Sequence, residues 1–158
     1  MEDSLSIFEK IARRAYKFTD AVPTDEQHQH PFSQRNIHES IELVAIKLFN
    51  DGHYSQASFE AFKFVDNEIQ IASNSSDSGF KLMMSVLGGE VPNVCLTPMK
   101  NTSDKDEQKG YQFLFAGSIL AIRNPRAHDV LVKDDIDLCL DHLALASFLM
   151  RKLRQFYG

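Results

Sequence analysis

The residues best suited to chemistry lie in one short stretch of the chain, Ala121-Ile-Arg-Asn-Pro-Arg-Ala-His-Asp129. His128 has the one side chain whose ordinary pKa lets it take up and return a proton near neutral pH. Arg123 presents a planar fork of donors that suits a phosphoryl group. Because five positions along a regular helix turn through about 140°, a bend at Pro125 would be needed to aim both into one pocket. The set predicts acid–base chemistry on a phosphodiester, with Asn124 orienting either partner or the substrate.

The same stretch also has a purely structural interpretation. Asn124 and Pro125 would end a helix, since proline disfavours the helical conformation of the residue before it. Arg126 would then face water, and His128 would pack at the turn. In the catalytic interpretation, Arg126 and Glu60 are instead the additional side chains predicted to contact the substrate. The residues alone leave both interpretations open.

Other polar groupings are weaker candidates for a site. The run His28-Gln-His30, with His38 nearby, lies in a polar linker and has no cysteine or regularly spaced carboxylate to complete a metal shell. Gly88-Gly89 lacks the context of a phosphate-binding loop. The acidic residues of the third predicted helix do not all share one face and are expected mostly on its solvated side; they are Glu60, Asp66 and Glu68. We therefore predict no metal site and no cofactor.

Composition places the chain among ordinary globular proteins. It has 158 residues, of which 43% are hydrophobic and 25% charged, and the length suits a single domain. A net charge of −5 argues against coating nucleic acid by bulk electrostatics, although a local basic site remains compatible with it. No apolar run approaches the roughly 20 residues that span a bilayer, and the start lacks a secretory signal. Cys95 and Cys139 are expected to be buried free thiols, so we predict a cytoplasmic protein that does not associate with membranes.

Apolar residues recur at helical spacing along most of the chain, and no strand pattern of any length is present. The predicted helices span residues 5–18, 37–48, 53–72 and 80–87, then 104–107 to 123–124, and a last one that starts at 133–135. Polar connectors cover 20–33, 73–79 and 88–103, the last with at most a brief extended piece at 94–96. The pattern predicts an all-α bundle of about five to six helices, with an N-terminal helix and linker at 1–34 and a helical domain at 35–158.

Arg-Asn-Pro-Arg-Ala-His resembles the R-x4-H signature of the HEPN superfamily (higher eukaryotes and prokaryotes nucleotide-binding domains). The likeness extends over roughly residues 35–155 and is closest to a small bacterial branch found in phage and defence neighbourhoods, which carries RNPxAH. Its further matches are Gly52-His53-Tyr54, Ala57, Glu60-Ala61, Gly79, Leu82-Met83 and Gly117, six residues before Arg123.

The resemblance implies a HEPN-like bundle whose motif lies between the last two long helices, and a homodimer whose two motifs face a shared cleft. The implied activity is metal-independent cleavage of RNA by attack of the ribose 2′-hydroxyl, in phage defence, stress response or toxin-like RNA cleavage. His128 would transfer the protons and Arg123 would stabilise charge in the transition state, with Asn124 in support. DNA, which lacks the 2′-hydroxyl, should not be cut.

The resemblance also leaves alternatives. HEPN toxins paired with a nucleotidyltransferase antitoxin have a tyrosine two residues after the histidine, where this chain has Val130. An antitoxin or a defence-system partner is conceivable, but control by nucleotidylation is not expected. The second hypothesis is a non-catalytic HEPN-like module that binds a nucleotide or a protein, and the third is a plain structural bundle.

Overall fold

A computed structural model describes residues 29–128 and 132–157. The helix predicted at residues 5–18 lies outside these ranges, as do His28 and Val130. The chain divides into two compact units, residues 1–34 and 35–158.

In the first unit, the described residues contain a short helix, α1, at Pro31–Gln34. Proline suits the first position of a helix, because its missing N–H would have no partner there and its φ is already helical. The ring nitrogen Nδ1 of His30 accepts a hydrogen bond from the N–H of Phe32, at 3.2 Å. The predicted connector at 20–33 therefore ends in a short helix.

The second unit is helical in all its regular elements, and its described residues contain no strand. The prediction of an all-α bundle is confirmed. The helices are α2 (Glu39–Asn50), α3 (Tyr54–Ser73), α4 (Gly79–Val86), α5 (Thr102–Ser118), a π-helical turn (Ile119–Arg123), α6 (Asn124–His128) and α7 (Ile136–Tyr157). Among the described residues, no helix is long and apolar enough to cross a membrane.

Helix α3 is the centre of this unit, since α2, α4, α7 and the π-helical turn all pack against it. It buries a stripe of apolar residues at three- and four-residue spacing, as a helix surrounded by others must. The fully buried members of the stripe are Ala57, Ala61, Phe62, Val65 and Ile69. Helix α7 contributes the facing layer with Leu143, Ala146, Leu149 and Met150.

Short polar contacts fix where the helices begin and end. The side chain of His38 accepts a hydrogen bond from the N–H of Ser40 and so caps α2, while Asn101 caps α5 by accepting from the N–H of Asp104. Between α2 and α3, Gly52 has a φ of +78°, which glycine adopts without strain. Each predicted helix of this unit is therefore found within a few residues of its predicted bounds, except the one that carries the motif.

That helix does not end at Pro125, so the predicted stop is wrong. The N–H of Asn124 bonds to the carbonyl of Ile119, five residues back, and helical structure continues through His128. Proline in a helix has no N–H to donate, and its ring collides with the carbonyl four residues earlier. The wider π-helical turn shifts the hydrogen-bond register just before Pro125, which then sits in the first turn of α6.

The long connection between α4 and α5 has no strand in its described residues. It is held by one buried side chain of α5, Gln108. The Gln108 amide donates to the carbonyls of Leu87 and Val94, at 2.9 and 3.0 Å, and accepts from the N–H of Leu96 at 2.7 Å. The side chain of Gln108 thus takes the place of the strand partner that these buried backbone N–H and C=O groups would otherwise need.

Candidate active site

Arg123 ends the π-helical turn and points toward α3. The guanidinium carbon lies 5.9 Å from the centroid of the Phe59 ring, within range of a cation–π interaction. Its Nη1 donates to Oδ1 of Asn124 at 3.1 Å. Its Nε–H is buried and has no partner among the described residues. Arg123 is thus half-buried, held on one side and incompletely satisfied.

Asp66, two helical turns after Phe59 on the same helix, lies beside this arginine. It is 2% exposed, so the expectation that it belongs to the solvated side of α3 is wrong. Burial raises the pKa of its carboxyl, while the N–H of Gly79 and the charge of Arg123 act in the opposite direction. The sequence signal was its position on the buried stripe, four residues after Phe62 and three before Ile69.

Gly79, the first residue of α4, binds this carboxylate through its backbone and lies near the arginine. Its N–H donates to Oδ1 of Asp66 at 2.8 Å. A Cβ added to Gly79 would lie 4.0 Å from Nη1 of Arg123, and the residue has a φ of +65°, which favours glycine. Gly79 therefore lies near both the carboxylate of Asp66 and the guanidinium of Arg123.

His128 ends α6 and is exposed, without a hydrogen bond to any residue that the structure describes. It does not pack at a turn, as the structural interpretation of the motif expected. Arg123 is turned inward against α3, and in the described residues no hydrogen bond joins the two side chains. One copy of the chain therefore displays the histidine to solvent while holding the arginine at the edge of the bundle.

Arg126 is neither water-facing nor free, which corrects the structural interpretation of this residue. Its side chain is 7% exposed and forms a bidentate ion pair with Asp134, whose side chain is 1% exposed. Nε donates to Oδ2 of Asp134 at 2.7 Å, a second bond joins Nη2 to Oδ1, and Nη1 donates to the carbonyl of Ile122 at 2.8 Å. With its donors so engaged, Arg126 is placed to fix the motif rather than to contact a substrate.

The ion pair continues into a buried polar network that sequence reasoning missed. His142 of α7 lies 3.6 Å from Asp134 and 3.1 Å from the hydroxyl of Ser58 on α3. The hydroxyl of Ser55 donates to the carbonyl of Val132 and accepts from the N–H of Asp134. Val132 and Asp134 are thus tied to α3, and Asp134 also to α7.

Charge and burial set the protonation of this network. Burial alone would raise the pKa of Asp134, but the hydrogen bonds and charge of Arg126 hold it below the usual range. Burial and the charge of Arg126 lower the pKa of His142, which favours its neutral form. Burial raises the pKa of the neighbouring Cys139 thiol to about 11, so this cysteine is protonated at neutral pH and unreactive.

Glu60, the other predicted substrate contact, lies on α3 next to Phe59. Its carboxylate is 3.3 Å from the ammonium of Lys63, one turn further along the helix. Within the described residues no hydrogen bond or ion pair connects Glu60 with Arg123 or His128. The structure therefore leaves it at the margin of the candidate site.

The remaining sequence candidates have structural explanations. His38 caps α2, and the described residues contain no group of three or more histidine, cysteine or acidic side chains suited to a metal ion. Gly88 and Gly89 line a cavity of about 380 Å³ with polar residues of α5. A Cβ added to Gly88 would lie 2.1 Å from Nε2 of Gln112. Close packing against α5 therefore explains why glycine is needed at position 88.

A family model matches most of this chain. Residues 35–153 fit the model of a family described as "Protein of unknown function (Hypoth_ymh)". The chain belongs to this family, and the match contains every residue of the candidate site. Neither the curated proteins nor the solved structures yield a match.

Proposed function

We propose that this member of the Hypoth_ymh family is a metal-independent endoribonuclease of the HEPN type. It would act as a cytoplasmic homodimer in phage defence, stress response or toxin-like RNA cleavage. The observation that carries the proposal is the state of Arg123, whose buried Nε–H has no partner among the described residues, on the same helical run as the exposed His128.

The unsatisfied Nε–H favours a functional role for Arg123. Leaving a buried donor unpaired costs about 1–3 kcal/mol, so such a group in a native protein calls for an explanation, and a catalytic role is one. Phe59 and Asn124 hold the guanidinium without using all of its donors. The remaining donors can bind a phosphate and stabilise the charge that develops during its reaction.

His128 supplies the proton transfers in this mechanism. The ribose 2′-hydroxyl attacks the adjacent phosphorus and loses its proton to a base, the bond from phosphorus to the 5′-oxygen breaks, and that oxygen receives a proton. The products are a 2′,3′-cyclic phosphate and a 5′-hydroxyl. An exposed imidazole can reach either oxygen, and the other proton transfer falls to the second histidine of a dimer or to water.

We infer that the active site needs two copies of the chain, because no hydrogen bond joins Arg123 and His128 within the described residues of one copy. An apolar stripe runs along α5 and the π-helical turn up to the motif, with Phe113 at 54% exposed and Leu114 and Leu120 each at 48%. Gly117 lies on the same exposed side, and a Cβ there would meet nothing within 4 Å. Two copies packed along this stripe would bring their motifs to one cleft, where His128 of one could face the phosphate held by Arg123 of the other.

Incubation of the purified protein with total RNA tests the proposal. The wild type should cut RNA, and Arg123→Ala and His128→Ala should not. Arg151→Ala is the control, since it removes a cation from α7 away from the motif. RNA that is bound but not cut by the wild type would instead indicate a binding module. If RNA is neither bound nor cut, the third hypothesis, a plain structural bundle, would be favoured.

A further inference from the structure

The carboxylate of Asp66 has no part in the mechanism above, although it is the acidic group placed to act on Arg123. It is buried at the interface of α3 with α4, and the charge of Arg123 acts on it. Yet the two side chains form no ion pair within 4.0 Å. A buried carboxylate next to an arginine would ordinarily take up the arginine's fork in a bidentate pair, as Asp134 does with Arg126.

The reason for the difference is Gly79. Its N–H donates to Oδ1 of Asp66 at 2.8 Å, and a Cβ added to it would lie 4.0 Å from Nη1 of Arg123. The amide therefore occupies one oxygen of the carboxylate, which is then not available for a bidentate pair with Arg123. Charge attraction between the two groups remains, since it acts at a distance in a buried environment, but the donors of Arg123 are not consumed by it.

We propose that Asp66 is a positioning residue for Arg123: its charge, held in place by the N–H of Gly79, keeps the guanidinium over the Phe59 ring while leaving donors free for a phosphate of the RNA. This inference rests on the proposed function for its consequence in catalysis. The placement of Arg123 by Asp66 can be measured without any activity.

The variant Asp66→Asn tests the placement, because the amide oxygen can still accept from Gly79 while the charge is lost. In protein labelled with ¹⁵N, the Nε–H of Arg123 gives its own NMR signal, identified by its disappearance in Arg123→Lys. We expect Asp66→Asn to shift this signal. The matched control is Glu68→Gln on the same helix, which removes a carboxylate paired with Arg154 instead and should leave the Arg123 signal in place.

Cleavage assays then test the consequence. We expect Asp66→Asn to lower kcat on the order of 10²-fold, the effect of misplacing a catalytic group by about 1 Å. KM should hardly change, because Arg123 acts mainly on the transition state. Glu68→Gln should cut RNA at the wild-type rate.

The outcomes separate this inference from the proposed function. One outcome is that the wild type fails to cut RNA while the Arg123 signal still shifts in Asp66→Asn. That result would contradict the proposed ribonuclease function but support the role of Asp66 in positioning Arg123. An unmoved signal overturns the positioning whatever the activity, and so does full cleavage by Asp66→Asn. Should Asp66→Asn fail to fold, Asp66→Ser replaces it with a smaller acceptor. Failure of both to fold would assign Asp66 to the fold alone and overturn the proposal.

Discussion

Arg123 and His128 differ in burial, and this difference predicts how their removal affects stability. His128 is exposed, so His128→Ala should change the free energy of unfolding by less than about 0.5 kcal/mol. Arg123→Ala loses the contact with Phe59 but also removes an unsatisfied donor, so its effect should stay within about 1 kcal/mol. His128→Ala should lower the rate of RNA cleavage by on the order of 10²–10⁴-fold, and Arg123→Ala by on the order of 10²–10³-fold. Urea unfolding beside a cleavage assay checks both, and a histidine variant that unfolds would favour the structural interpretation.

Arg123→Lys is the sharper probe of the same residue. It keeps the positive charge but replaces the planar fork by a single ammonium, which cannot bind two phosphate oxygens in the same way. We expect a large loss of cleavage rate with the fold unchanged by circular dichroism. A lysine variant with the full rate would show that Arg123 supplies only charge.

Two histidines predict how stability depends on pH. Burial lowers the pKa of both His38 and His142, and the charges of Arg151 and Arg126, respectively, add to this effect. The unfolded chain then binds more protons than the folded one, so the stabilisation is present above the unfolded pKa of about 6.5 and is lost as the pH falls. Urea unfolding between pH 7 and pH 5 should show decreasing stability. His142→Gln should weaken this trend, and an unchanged slope would contradict the role given to His142.

For single residues, the sequence indicates which side chains are suited to catalysis better than it indicates how buried they are or what they bind. Arg123 and His128 could be selected because few side chains serve phosphodiester chemistry. The burial of Asp66 could have been anticipated from its spacing to Phe62 and Ile69, but its bond to Gly79 could not, since that depends on how α4 approaches α3. The pairing of Arg126 with Asp134 was hidden for a similar reason, since it depends on where Asp134, just before α7, lies relative to α6.

The elements around the motif are held by that ion pair. Arg126 belongs to α6, Asp134 precedes α7, and Ser55 of α3 binds the backbone on both sides of Lys133. Removing one partner leaves a buried charge without compensation, which typically costs about 3–5 kcal/mol. We expect Arg126→Ala to lower the free energy of unfolding by this amount and to reduce cleavage with it, as measured by urea unfolding and RNA assays.

A surface ion pair provides the control for this variant. Arg35 and Asp141 also form an ion pair, but both side chains are substantially exposed. Arg35→Ala should therefore cost no more than about 1 kcal/mol. Equal losses in the two variants would mean that the pair of Arg126 with Asp134 does not hold the motif.

The π-helical turn shows where prediction of elements from sequence ends. Proline predicts a disturbance of the helix near Pro125, and a disturbance is present. Whether the chain stops, kinks or widens by one residue depends on packing against α3 and α4, which contact the turn. The widened turn fixes the direction of Arg123, so this detail matters more to the candidate site than the bounds of any other helix.

At the scale of the whole molecule, the exposed apolar stripe predicts a symmetric dimer. The wild type should have about twice the 18.0 kDa mass of one chain at micromolar concentration. The two motifs should lie within about 8–10 Å of each other.

Leu120→Lys places a charge in the stripe next to the motif and should yield monomers that do not cut RNA. Lys109→Glu, on α5, is the control. Light scattering that shows only monomers of the wild type would contradict the shared cleft.

The chemistry of the products tests the molecule as a complete enzyme. If the attacking group is the 2′-hydroxyl of the RNA itself, the reaction needs a base, an acid and a stabiliser of charge, which the motif offers. Cleavage should then persist in excess EDTA and leave a 2′,3′-cyclic phosphate and a 5′-hydroxyl, as mass spectrometry of the fragments can show. An oligonucleotide with 2′-deoxyribose or 2′-O-methylribose at the scissile position should remain intact although it can still bind. An activity that EDTA abolishes, or that cuts DNA, would require a mechanism with another nucleophile, such as metal-activated water, and would remove His128 and Arg123 from the roles proposed for them.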